Sequence, residues 1–205
     1  MNATIRHTLS ALWLVAAGFA GAADQCPAGV PTHGRYYNEY GFTVRIPSGL
    51  RGLWNSVGCV QGDDGCTCMS DHGRYLPLDG GDNGIDIFAA YNAMLYESLH
   101  DAVQAELGFA RDRARHRRIK VLSLRPARLG ALKAVRLVLQ YRSKDDGRLI
   151  IRDQVPALRR IMANSSEPSH FYNVALSSDK QHYAAHRPLL EQVLANWHTA
   201  KADMD

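Results

Sequence analysis

The feature that most constrains this chain is a change of hydrophobic period between residues 84 and 110. "GIDIFAAYN" (84–92) alternates, with Ile85, Ile87 and Ala89 on one side of an extended segment. "NAMLYESLHDAVQAELGFA" (92–110) then repeats every three or four residues through Leu95, Leu99, Ala102, Val103 and Leu107. A strand therefore runs into an amphipathic helix whose apolar stripe needs a sheet to lie on. Asn92 is the expected N-cap. More strands surround this pair. In "YYNEYGFTVRIPSGL" (36–50), Phe42, Val44 and Ile46 alternate with polar residues until Pro47 stops the run. In "ALKAVRLVLQYRS", Val135, Leu137, Leu139 and Tyr141 point inward, and Arg136, Gln140 and Arg142 point outward.

"KDDG" (144–147) carries the Asp-Gly signal of a hairpin turn. "RLIIRDQVPAL" and "SHFYNVALSS" supply two further strands, with the polar "RRIMANSSEP" as a loop between them. "DKQHYAAHRPLLEQVLANWH" ends the pattern as a helix. Pro188 lies in its first turn, and Leu189, Leu190, Val193, Leu194 and Trp197 form its stripe. The fold class is α+β, with helices packed on one antiparallel sheet.

Residues 1–22 read differently. Arg6 precedes the uncharged run "TLSALWLVAAGFA", and small residues at Ala20 and Ala22 close it. These are the marks of a secretory signal peptide, cleaved after Ala22 or Ala23. The run is shorter than the roughly 20 residues a spanning helix needs. Cys26 follows "ADQ", which is not a lipidation sequence. Residues 23–205 then form one exported domain, periplasmic or secreted, large enough for a core of its own. Losing Arg6 lowers the net charge from +4 to +3, too little to argue for nucleic acid.

The order of elements and two anchor stretches resemble the PsbP-like superfamily. "YNEYGFTVRIPSGL" is similar to its opening aromatic, Gly-Phe and proline-ended strand, and "HYAAHRPLLEQVLANW" to its closing aromatic and leucine-rich helix. The resemblance spans most of residues 36–198. It implies an α/β/α sandwich around an antiparallel sheet, no shared catalytic residues, and a role in binding other proteins. A cysteine-rich insertion at about 52–83 departs from the family.

That insertion holds Cys59, Cys66, Cys68 and His72, with Asp63 and Asp64 between the first two cysteines. A zinc site would use the three thiolates and His72. However, C-x6-C-x-C-x3-H lacks paired C-x2-C knuckles, and an oxidising compartment opposes free thiolates. "CTC" is not the C-x-x-C of a redox helix. Four cysteines after residue 22 instead suggest two disulfides. Cys66 and Cys68 share one side of an extended chain and do not bond each other. Cys59 with Cys66 across the flexible "VQGDDG", and Cys26 with Cys68, is the preferred set among three pairings. Such bridges are worth about 2–4 kcal/mol each and suit a rigid binding loop.

No Ser-His-Asp, G-x-S-x-G or H-E-x-x-H constellation is present. Asp79, Asp82, Asn83 and Asp86 fit a turn better than a calcium loop. No catalytic residue, cofactor or resident metal is expected. "RDRARHRRIK" (111–120) places Arg111, Arg113, Arg115, Arg117 and Arg118 after the long helix. These are either a solvated helix end or a surface for an acidic partner. His33, His100, His170, His182, His186 and His198 are read as surface residues. The functional expectation is a non-catalytic module that binds another envelope protein, in one version an inhibitor or immunity protein against a cell-wall-targeting enzyme. Arg111, Arg113, Arg115, Arg117, Arg118, Asp63, Asp64 and His72 are the candidate contacts. An envelope accessory factor and a metal-binding protein are the alternatives.

Overall fold

The computed structural model describes residues 34–38, 42–62, 65–78, 83–92, 96–160 and 170–199, with 34–38, 53–62 and 65–72 described by backbone pairing alone. The candidate signal peptide, Cys26, Asp63, Asp64, Asp79, Asp82, His33 and most of the polar loop after Arg159 lie outside the described residues. No described helix is long and apolar enough to cross a membrane.

Among the described residues ten strands and two helices follow in order: β1 (Gly34–Asn38), β2 (Phe42–Ile46), β3 (Leu50–Gly62), β4 (Gly65–Pro77), β5 (Gly84–Tyr91), α1 (Leu99–Arg113), β6 (Ala114–Leu129), β7 (Leu132–Ser143), β8 (Leu149–Arg159), β9 (His170–Asp179), α2 (Tyr183–Ala195) and β10 (Trp197–Thr199). The one sheet expected from sequence is two. A seven-stranded antiparallel sheet runs β3-β4-β5-β9-β8-β7-β6, and β2 lies between β1 and β10 in a smaller sheet.

Strand alternation divides the large sheet into two buried faces. Tyr75, Ile85, Ile87, Ala89, Val155, Tyr172, Val174 and Leu176 join α2 and the small sheet in the main core. There Trp197 stacks on Phe42 at 4.1 Å and meets Tyr172 edge-on at 5.8 Å. On the other face, Leu137, Leu139 and Tyr141 meet Val103, Leu107 and Ala110 of α1, so the inward set expected for β7 holds. Gly130 turns β6 into β7 with φ +59, and a Cβ there would lie 3.1 Å from Trp197 Cδ1. The turn thus needs glycine for both its torsion and its fit against β10.

Several local expectations change. Helix α1 starts at Leu99 under Ser98, not under Asn92. Ser98 Oγ accepts from Asp101 N at 3.3 Å, and Asp101 Oδ2 accepts from Ser98 N at 3.0 Å, a reciprocal capping box. Asn92 instead donates to Tyr96 O at 2.7 Å. Helix α2 begins before Pro188, which lies inside it. The side chain of Asp179 supplies its start, accepting from Gln181 N at 3.1 Å and His182 N at 3.0 Å. Trp197 belongs to β10 rather than to the helix stripe. His170 and His186 are buried, not on the surface. Burial, with Arg159 beside it, lowers the His170 pKa to about 4. The cysteine-rich stretch is not a loop: β3 and β4 carry it as a thirteen-residue strand pair at one edge of the sheet.

Candidate functional site

The opposite edge of the sheet is β6, and its exposure sets it apart. Sixteen residues long, it is buried only at Ala114 and Leu129 and pairs only with β7 among the described strands. Arg115, Arg117, Arg118, Lys120, Arg125 and Arg128 are exposed along it, and it contains no acid. Val121, Leu122 and Leu124 add an apolar patch, with Leu124 57% exposed. The pairing with β7 slips twice, between Ala114 and Ile119 and again between Val121 and Ser123. At the first slip His116 and Arg117 both take positive φ, 56° and 55°. Two adjacent non-glycine residues in that region carry a cost of about 1–2 kcal/mol each. The bulge they make lifts the arginines out of the ladder. Of the five arginines read from sequence, Arg115, Arg117 and Arg118 lie on this bulge. Arg111 and Arg113 close the last turn of α1.

Two charged networks went unread in the sequence. The first lies under α2. Arg136, read as outward, is buried and grips Asp153 with two bonds of 2.7 Å. Glu191 of α2 closes on Arg136 Nη2 at 2.8 Å, and Tyr183 donates to Asp153 Oδ2 at 2.6 Å. Burial and that bond to Asp153 push the Tyr183 hydroxyl up to about 12. The network pins α2 across β7 and β8.

The second lies under α1. Asp86 of β5 accepts from Arg74 Nη1 at 3.0 and 3.2 Å and lies 3.5 Å from Arg152 Nη1. Arg152 also donates to Gln154 Oε1 at 2.9 Å and Ser177 Oγ at 2.8 Å. Glu106 enters from the helix, 3.9 Å from Arg152 Nη2. Burial raises its carboxyl above the usual range, only partly offset by Arg152 and the nearby Asn173 and Gln154 amides. The signal was present: Asp86, Arg152 and Gln154 interrupt apolar strands, and Glu106 lies one helical turn from Val103 on the buried stripe.

At the far edge, the backbone register sets Cys59 opposite Cys68 and Gln61 opposite Cys66. Directly opposed residues lie about 4.5–5.5 Å apart at Cα, inside the roughly 4.4–6.8 Å range of disulfides. Cys66 sits diagonally from Cys59, at about 7–8 Å. For a bridge across this strand pair, the register favours Cys59 with Cys68 over the Cys59 with Cys66 pairing expected from sequence. His72 is six residues from Cys66 along the same strand. That is about 20 Å of extended chain, which works against one ion gathering all four proposed ligands. Among the described residues no His, Cys, Asp and Glu group is placed to hold a metal.

With this geometry in place, comparison with solved structures decides the architecture. The structure is similar to cyanobacterial PsbP (CyanoP) from Synechocystis, with a TM-score of 0.51 and 12% identity over 85% of this chain and 97% of that one. The fold is PsbP-like. LpqN of Mycobacterium tuberculosis, described as involved in cell envelope biogenesis, also superposes, with a TM-score of 0.51 and 11% identity over 78% of this chain and 83% of that one. No family model and no curated protein matches the sequence. The PsbP-like frame therefore accounts for the sandwich, while the bulged basic edge and the two charged networks are read from this chain alone.

Proposed function

We propose that the chain is an exported, non-catalytic module that binds an envelope protein by adding an acidic, extended segment of that partner to the β6 edge. The observation that carries this reading is the strand itself: an edge with no second partner among the described strands, six exposed cations, no acid and an exposed Val121-Leu122-Leu124 patch. An open edge offers backbone donors and acceptors to an incoming strand. The cations make the choice of partner selective. Two copies of β6 meeting edge to edge would oppose six cations to six, which disfavours self-pairing. An acidic strand meets the complementary charge and is steered towards it at low salt. The signal-like start of residues 1–22 supports export, and the absence of a catalytic constellation in the sequence supports binding without turnover.

The narrower version is an inhibitor or immunity protein whose partner is a cell-wall-targeting enzyme. A photoreactive amino acid in place of Leu122 tests the proposal in living cells. The expected result is one cross-linked partner, absent when the same probe replaces exposed Gln104 on α1 and lost in Arg117→Glu/Arg118→Glu. No product from position 122, or one indifferent to the charge reversal, would refute it. If the partner degrades cell wall and the purified protein suppresses that activity, the inhibitor version stands. If the partner has no such activity, the accessory-factor version replaces it.

A further inference from the structure

A cavity of about 360 Å³ lies between α1 and the face of the sheet opposite the main core. That volume is in the range of small-molecule sites. Phe88, Tyr96, Phe109 and Phe171 form its aromatic wall, and Phe171 lies 5.9 Å from Phe88 and 4.9 Å from Tyr96 between ring centroids. Phe109 is 54% exposed, on a helix whose other large apolar residues are packed inward. Asp86, Glu106, Arg113, Arg152 and Asn173 supply the polar lining.

The hydrogen-bond accounting of that polar end is uneven. Arg152 is committed to Asp86, Gln154 and Ser177. Asp86 is held by Arg74 as well. Because Arg152 Nε donates to Gln154 Oε1, that amide's orientation is fixed. Asn173 Nδ2 donates to the same oxygen at 3.3 Å, which fixes Asn173 in turn. Asn173 Oδ1 is then left without a partner among the described residues, although Asn173 is only 4% exposed. Glu106, 6% exposed, has its cation at 3.9 Å, beyond hydrogen-bonding distance. The Asn173 and Gln154 amides already favour the Glu106 carboxylate. What this end of the cavity lacks is a donor for Asn173 Oδ1 and a cation within hydrogen-bonding distance of Glu106.

We propose that this cavity binds a small amine, with the ammonium on Glu106 and Asn173 Oδ1 and an apolar body the size of one aromatic ring among Phe88, Tyr96, Phe109 and Phe171. Four aromatic side chains attract a cation through their ring faces. The ammonium supplies the close positive partner that buried Glu106 lacks. A carboxylate head would meet Glu106 and Asn173 Oδ1, with Arg152 spending Nε on Gln154 and Nη1 on Ser177 and Asp86 and leaving only Nη2, on the Glu106 side. Arg113 opposes a cation, but it is exposed at the mouth and screened by salt. This site is independent of the β6 edge.

Three probes of one shape separate the head-group chemistry: 2-phenylethylamine, 2-phenylethanol and 3-phenylpropanoate, each titrated into the purified protein by calorimetry. The amine is expected to bind at least ten-fold tighter than the alcohol, with no heat from the carboxylate. In the unsubstituted protein, amide shifts caused by the amine should centre on Ala90, Phe109 and Ala175. Glu106→Gln should weaken the amine ten-fold or more and the alcohol less than two-fold. Phe109→Ala, at an exposed position that does not threaten folding, should weaken both about five-fold. Equal affinity for the three probes, preference for the carboxylate, binding of none, or shifts elsewhere would overturn the proposal. So would Glu106→Gln with unchanged amine affinity.

Discussion

Replacing Asp153 by alanine tests the network that positions α2. Asp153 is fully buried and accepts three short bonds, two from Arg136 and one from Tyr183. Removing it leaves the Arg136 guanidinium buried, with only Glu191 beside it, and that carboxylate's side chain is 46% exposed. A buried ion pair broken on one side costs about 3–5 kcal/mol, because the remaining charge loses its partner without regaining water. At roughly 2–4 °C per kcal/mol for a domain of this size, the midpoint of thermal unfolding should fall by about 6–20 °C. Arg136→Met alone strands the carboxylate and should cost a similar amount. The double variant Arg136→Met/Asp153→Leu replaces both charges with apolar volume and should recover most of the loss. Urea denaturation of the unsubstituted protein, Arg136→Met, Asp153→Leu and the double variant, with unchanged slope, gives the cycle directly. Single-variant costs below about 1 kcal/mol that simply add in the double variant would refute the reasoning, since such a result describes a solvated surface pair.

Gly130→Ala should destabilise by at least about 1–2 kcal/mol from its positive φ alone, with a further loss from contact with Trp197; chemical denaturation measures it, and a neutral result would contradict the turn geometry. Glu106 makes stability pH-dependent with a defined sign. Its folded pKa lies above the ordinary 4.5, so the folded state holds a proton that the unfolded state releases, and stability falls as pH rises from 4.5 through the folded value. Glu106→Gln should flatten that slope in denaturation curves taken across the range, and an unchanged slope would assign it elsewhere. Peptide mapping of the non-reduced protein should find Cys59 joined to Cys68 and Cys26 to Cys66. Recovery of a Cys59–Cys66 peptide would show that the strand register does not govern the pairing.

Much of this fold was legible because each element buries one face against water. The period switch near residue 92 located α1, and the alternation in "ALKAVRLVLQYRS" located β7 and its inward set. What the alternation could not show is a strand buried on both faces. Arg136 reads as outward by parity, yet α2 covers the side it points to, and its charge is matched by Asp153 from the next strand. The same blindness hid Glu106, whose place on the apolar stripe of α1 is a matter of spacing but whose partners come from β8 and β9. The helix starts moved for local reasons: Ser98 satisfies a first-turn N–H of α1, and Asp179 orders the turn at Gln181 and His182 that leads into α2. Glycines and aspartates made the insertion at about 52–83 read as a loop, although β3 and β4 draw their order from backbone pairing at the sheet edge. The basic run was visible as composition. Its placement on a bulged strand at the edge of the described sheet was not, because exposure of an edge is a property of strand order.

Amide hydrogen exchange on the protein, free and bound to the partner captured at Leu122, tests the β6 assignment most directly. Strand addition predicts slowed exchange concentrated between Arg118 and Arg128, weakening as salt is raised. Protection confined to the β3–β4 edge or to α2, with β6 amides exchanging as fast as in the free protein, would contradict it.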